Sequence, residues 1–160
     1  RKALNDSLLE LRNISKGLAL PDLEHMSVQA IVSSAVKAHR HRTGSQVEID
    51  ITMPESIPAP DMPVKIAVYR SIQEGLNNAY RHAGASGQRV SVQVDEKQLM
   101  LVVADQGPGF DYISQASNGS GLGLNGLRER IRGLGGQFNV ESRPDVGTIL
   151  RIRLPLSEKG

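Results

Sequence analysis

A chain of 160 residues with a net charge of +2 and 39% apolar residues is long enough for one domain with an ordinary core, or for one domain with an appendage. The small net charge, the 3% aromatic content and the lack of a dense Lys/Arg run exclude the usual nucleic-acid footprint, Arg40-His41-Arg42 being better read as a solvated helix end. The absence of Cys excludes disulfides and thiolate metal sites, and no apolar run is long enough to span a bilayer.

Residues 1–18 carry Leu4, Leu8, Leu11, Ile14 and Leu18 at three- and four-residue steps, which predicts an amphipathic helix that packs on another helix, in this or another subunit. Arg1 in place of a starting Met leads to the expectation that the chain is a piece of a longer protein. Gly17 and Pro21 mark a break. A second helix is predicted over 27–41, with Val28, Ile31, Val32, Ala35 and Val36 on one face and Gly44 as its stop. Val47, Ile49 and Ile51 then alternate with polar residues as in a half-buried strand.

Four prolines between 54 and 63 make a loop, and Pro63 suits the first turn of a helix that runs to Ala83. Ile66, Tyr69, Ile72, Leu76, Tyr80 and Ala83 are expected to face the core, with Gly84 as the stop. A hairpin follows: Val90, Val92 and Val94, a polar turn at 95–98, then a central strand at 99–104. The turn 105–109 ends that strand, and the polar stretch 111–120 is expected to be a mobile loop. A helix over 125–134, a Gly135-Gly136 stop and strands at 137–142 and 148–154 complete the chain. The order predicts an α/β two-layer sandwich, a mixed and mostly antiparallel sheet covered on one face by helices.

Three places in this pattern can carry chemistry. On the helix 63–83, Glu74, Asn77, Asn78 and Arg81 recur at i, i+3, i+4 and i+7, a polar stripe away from the apolar face. A carboxylate, amide oxygens and a guanidinium in a row could hold a hydrated cation and a phosphate, and Mg²⁺ needs only one or two protein oxygens when phosphates supply the rest. Asp105 follows a buried-looking strand, where its carboxylate needs a donor; an adenine amine would serve, whereas guanine would place an oxygen there. Gly107 and Gly109 let the backbone approach a flat base. Gly119, Gly121, Gly123 and Gly126 precede and open a helix, a setting suited to phosphate. The run from Gly121 to Gly126 also matches the dinucleotide-binding fingerprint, but no buried strand precedes it and too little chain follows to build that sheet. Gly147-Thr148 opens the last strand, and its hydroxyl could assist at the base site, through Asp105 or a water.

Four segments, in order and spacing, resemble one family. Gln73-Glu74-Gly75-Leu76-Asn77-Asn78-Ala79 with Arg81-His82-Ala83 resembles the N box of sensor histidine kinases. Asp105-Gln106-Gly107-Pro108-Gly109-Phe110 resembles their G1 box, and Gly119-Ser120-Gly121-Leu122-Gly123-Leu124 running into Gly126-Leu127-Arg128-Glu129-Arg130 their G2 box. Gly147-Thr148 resembles the last motif. The resemblance covers roughly 22–156 and implies the Bergerat ATP-binding fold shared by gyrase, Hsp90, histidine kinases and MutL. Glu74 in place of the usual Asn, the short lid and the Leu127-Arg128-Glu129-Arg130 run resemble the subfamily paired with LuxR-type response regulators.

The resemblance implies ATP and Mg²⁺ as ligands, with Asn78 on the metal, Asp105 and Thr148 at the adenine, and Arg81 and His82 near the phosphates. It implies that Gly107, Gly109, Gly119, Gly121, Leu122, Gly123 and Leu124 form the rest of the nucleotide cradle. Glu74 would orient a nucleophile or activate the acceptor histidine. It further implies a domain division: 1–20 as the end of a dimerising helical hairpin, 21–157 as the ATP-binding catalytic domain and 158–160 as a tail. A cytoplasmic domain of a homodimeric protein, without nucleic acid or direct membrane contact, follows from the same resemblance. None of His25, His39, His41 and His82 has the setting of a phosphoacceptor, which is expected upstream. The alternatives are an anti-sigma-factor-type serine kinase and a non-catalytic nucleotide-dependent interaction module on the same fold.

Overall fold

The computed structural model describes residues 8, 19–83, 87–107, 122–143, 145 and 147–156. The expected helix over 1–18 therefore lies outside the described residues, save that Leu8 is helical and 49% exposed. Gly84, the loop 111–120 and the residues Gly109, Gly119 and Gly121 also lie outside them.

From residue 19 on, three helices and five strands follow one another among the described residues: α1 (Val28–Thr43), β1 (Val47–Thr52), α2 (Met62–Ala83), β2 (Gln88–Val94), β3 (Gln98–Ala104), α3 (Leu122–Gly133), β4 (Gln137–Arg143) and β5 (Gly147–Pro155). Local chemistry sets most of the ends. Ser27 accepts the Ala30 amide on its hydroxyl at 3.1 Å and so caps α1. Gly44, at φ 71°, closes α1 in the left-handed conformation with its amide on the Arg40 carbonyl. Pro63 sits in the first turn of α2, where a missing N–H costs nothing. Gly135 and Gly136 return their amides to Arg132 and Ile131 and stop α3. That helix starts at Leu122 rather than near 125, so the glycine-rich segment already contributes its first turn.

The sheet order is β1-β2-β3-β5-β4, with β1 parallel to β2 and the other pairs antiparallel. It is the mixed, mostly antiparallel sheet expected. Asp95 turns the β2–β3 hairpin by accepting the Lys97 and Gln98 amides on one carboxylate oxygen. Alternate residues of β2 and β3 are buried, and with Leu150, Ile152 and Leu154 of β5 they form the inner face. Ile31, Val32, Val36, Ile72, Leu76, Leu127 and Ile131 from the helices complete an aliphatic core. No helix among the described residues is long and apolar enough to cross a membrane.

Tyr80 departs from expectation. It shares the helical period of Ile72 and Leu76 yet is 43% exposed, and its ring meets α1. Its ring stands edge-on to His39, with centroids 6.2 Å apart and planes at 84°. Lys65 is buried and structural: its ammonium donates to the Leu23 and Glu24 carbonyls at 3.2 and 2.7 Å, tying the segment before α1 to α2.

His39 has a structural role. It is 2% exposed, and burial first of all, with the nearby Arg42 charge adding to it, holds its pKa below the ordinary value, against a smaller opposing pull from its bond to Gln88. A depressed folded value means that stability is intact above the unfolded pKa of about 6.5 and is lost as pH falls through the folded value. Urea unfolding of the wild type is expected to weaken between neutral pH and pH 5, with His39→Gln giving a flatter profile. A parallel loss in both proteins would rule out His39 as the cause.

Candidate functional site

The site sits where α2 crosses the ends of β3 and β5. Gly75 makes this close crossing possible. A Cβ on it would lie 2.9 Å from Cγ1 of Val103 and 3.2 Å from Cδ2 of Leu150, so only a glycine lets the helix rest directly on the sheet here. Val103 and Leu150 lie two residues from Asp105 and Thr148 respectively. The Gly75 contact thus brings the stripe at 74–78 beside the turn that follows β3.

Asp105 is 6% exposed. Its carboxylate accepts the Gly107 amide at 2.9 Å, and its own amide donates to the Thr148 carbonyl at 3.0 Å, continuing the β3–β5 ladder by one rung. Burial raises its pKa above the ordinary carboxylate value, partly countered by the Gly107 and Thr148 backbone amides. Gly147, at φ 117°, packs its Cα against the Asp105 carbonyl, where any side chain would overlap that oxygen. The Thr148 hydroxyl pairs with the Ser142 hydroxyl at 2.7 Å, and the Thr148 backbone is the part that meets Asp105.

Across the site, Gly123 in the first turn of α3 lies against Glu74, so closely that a Cβ would collide with the carboxylate. The stripe and the glycine-rich segment therefore meet through this pair, and Leu124 anchors the same turn at 3% exposure. Asn78 is half-buried and Arg81 is exposed, one and two turns beyond Glu74 on α2. His82 and Leu122 belong to α2 and α3, but their side chains are outside the described set.

The two adjacent amides, grouped in one stripe by the sequence, part company. Asn77 turns to α1, where its Oδ1 accepts Nη2 of Arg42 at 2.7 Å. Arg42 thereby joins the site's surroundings, and so does Gln88, which is buried and donates its Nε2 to the Leu76 carbonyl at 3.1 Å. Gly87, at φ 60°, lies against the Gln106 side chain in the turn after β3. Sequence reasoning missed Arg42 and Gln88, since an arginine at a helix end and a glutamine opening a strand carry no local signal. The Gly87 contact joins two loops distant in sequence.

Comparison with known proteins agrees with this geometry. Residues 64–158 match the model of the histidine kinase-, DNA gyrase B- and HSP90-like ATPases. The chain is 32% identical over 158 residues to the signal transduction histidine-protein kinase/phosphatase DegS of Brevibacillus brevis, covering 98% of this chain and 40% of that protein. It is 33% identical over 158 residues to the sensor histidine kinase MctS of Rhizobium johnstonii, covering 98% of this chain and 33% of that one. It is 30% identical over 149 residues to the oxygen sensor histidine kinase NreB of Staphylococcus carnosus, covering 93% of this chain and 42% of that protein. The chain thus spans less than half the length of these relatives. Its fold is that of the Acinetobacter baumannii histidine kinase AdeS, with a TM-score of 0.67 at 20% identity over 98% of this chain and 79% of that one. The matched residues run from α2, which carries the polar stripe, through Asp105 and the glycine-rich turn to β5, and the chain belongs to the histidine kinase-, DNA gyrase B- and HSP90-like ATPase family.

Proposed function

We propose that this chain is the ATP-binding catalytic domain of a sensor histidine kinase, working in the cytoplasm. The buried carboxylate of Asp105 carries this reading. It stands between the Gly107 turn and β5, close to the crossing of α2, where an adenine amine would give it the donor that its burial calls for. The full protein would move the γ-phosphoryl of ATP to a histidine upstream of these residues and then to an aspartate of a response regulator, of the LuxR type, within a homodimer. Burial of His39 fits this division, since its ring is enclosed by α1, α2 and β2.

Among the described residues no three carboxylate or imidazole groups gather as a metal site. A cation here would use one or two protein oxygens and the phosphates, which suits Mg²⁺. Asn78 would give its amide oxygen to that ion, which neutralises phosphate charge when bound. Arg81 and His82 would face the phosphates, and Glu74, which lies beside Gly123, would orient the reacting group. Such a domain works mainly by positioning and neutralising phosphates. Gly107, Gly109, Gly119, Gly121, Leu122, Gly123, Leu124 and Thr148 would complete the cradle.

Two measurements test the proposal. Calorimetry with ATP and Mg²⁺ is expected to give a saturable single site. After incubation with γ-labelled ATP, the isolated chain is expected to hold no covalent label. Stable label on this chain would refute the upstream acceptor, and absence of binding would refute the nucleotide site.

A further inference from the structure

Asn78 and Arg81 lie in the C-terminal part of α2, beyond its crossing at Gly75. Gly75 packs closely on Val103 and Leu150, Leu76 and Ala79 beyond it stay buried, and Tyr80 and Arg81 are exposed. Three residues of this stretch nevertheless meet groups from outside the helix. The Leu76 carbonyl accepts Nε2 of Gln88 at 3.1 Å, Asn77 Oδ1 accepts Nη2 of Arg42 at 2.7 Å, and Tyr80 meets the His39 ring edge-on.

These contacts share one hub. Gln88 commits its amide nitrogen to the Leu76 carbonyl, so its Oε1 must accept, and Nε2 of His39 at 3.2 Å is the donor. The proton of the neutral imidazole is therefore on Nε2, and Nδ1 presents a lone pair to Nη2 of Arg42 at 3.4 Å. The same Arg42 nitrogen reaches Asn77. The last turn of α1 and the first residue of β2 thus hold α2 immediately before and after Asn78. The Arg42–Asn77 bond is charge-assisted, and it draws one of two adjacent amides away from the cation side of the helix.

We propose that Arg42, backed by His39 and Gln88, is a positioning residue of the nucleotide site, fixing the Asn78 turn of α2 so that the Asn78 amide oxygen is presented to the metal of a metal–nucleotide complex. The inference rests on the nucleotide reading above. Arg42 is exposed, and its guanidinium reaches Asn77 and the buried His39, so melting temperature is read beside affinity in the test.

The test is calorimetry of ADP binding to the 160-residue chain, with Mg²⁺ and with EDTA, alongside hydrogen exchange of the nucleotide-free protein. Arg42→Met is expected to weaken Mg-ADP by roughly three- to tenfold, with metal-free ADP changed by less than about twofold. Amides over 79–83 should exchange faster while the sheet is unchanged. Arg42→Lys, which can still donate to Asn77, is expected to recover most of the Mg-ADP affinity. Wild-type affinities in Arg42→Met would overturn the positioning role while leaving the nucleotide site standing. Equal losses with and without metal, accompanied by a lower melting temperature, would overturn it in favour of a structural role. Failure of the wild type to bind ADP at all would remove both.

Discussion

Asp105→Asn is expected to weaken adenine nucleotide binding severely while leaving the folded domain as stable as the wild type, or more so. An asparagine oxygen can still accept the Gly107 amide, so the turn keeps its shape. Its NH₂ group, however, is a donor where the adenine amine also donates. The lost charge-assisted bond and the new mismatch together cost about 1–3 kcal/mol, roughly a five- to 150-fold loss of affinity. The stability side follows from burial. The folded pKa of Asp105 is raised, so its ionised form opposes folding once pH rises through the unfolded and then the folded value. The amide carries no such cost at neutral pH. Thermal melts of nucleotide-free protein are therefore expected to favour the variant at pH 7–8, with the difference shrinking toward pH 4. Unchanged calorimetric affinity for ADP would refute the base-binding assignment, and a variant that melts well below the wild type at pH 8 would refute the cost of burial.

The second large effect concerns Gly147. At φ 117° it occupies backbone space that other residues rarely adopt, and its Cα rests on the Asp105 carbonyl. Backbone strain costs on the order of 1–3 kcal/mol, and displacing a neighbouring main chain adds a comparable amount. Gly147→Ala is thus expected to destabilise by roughly 2–5 kcal/mol in urea unfolding. The variant should also bind ADP more weakly, because relief of the overlap pushes β5 away from Asp105. A Gly147→Ala protein with wild-type unfolding would show that the strand end relaxes without cost. This is a different mechanism from that at Asp105, where the fold is preserved and recognition is lost.

The chemistry-bearing segments were legible because each has a local signature. Alternating valines define β2, a run of six apolar residues defines β3, and the Asp105 turn and the glycines before α3 announce backbone that must approach something closely. Even the cap at Gly44 and the stop at Gly135 follow from φ requirements readable one residue at a time. The Gly75 crossing has no such signature. A glycine inside a helix reads as a weak point until Val103 and Leu150 are seen beneath it.

The sequence by itself determined the order of elements, the mixed two-layer class and the motifs that place the chain in its ATPase family. These depend on periodicity, turn chemistry and spacing, all of which act over a few residues. Only the tertiary structure decided which of two neighbouring amides is held by α1. Asn77 and Asn78 point about 100° apart around α2, and both directions are polar until α1 places Arg42 against one of them. The same packing turned Tyr80 away from the core and made His39 the buried centre of a brace. A helical period gives the relative direction of side chains, but what lies in each direction is set by the elements packed alongside.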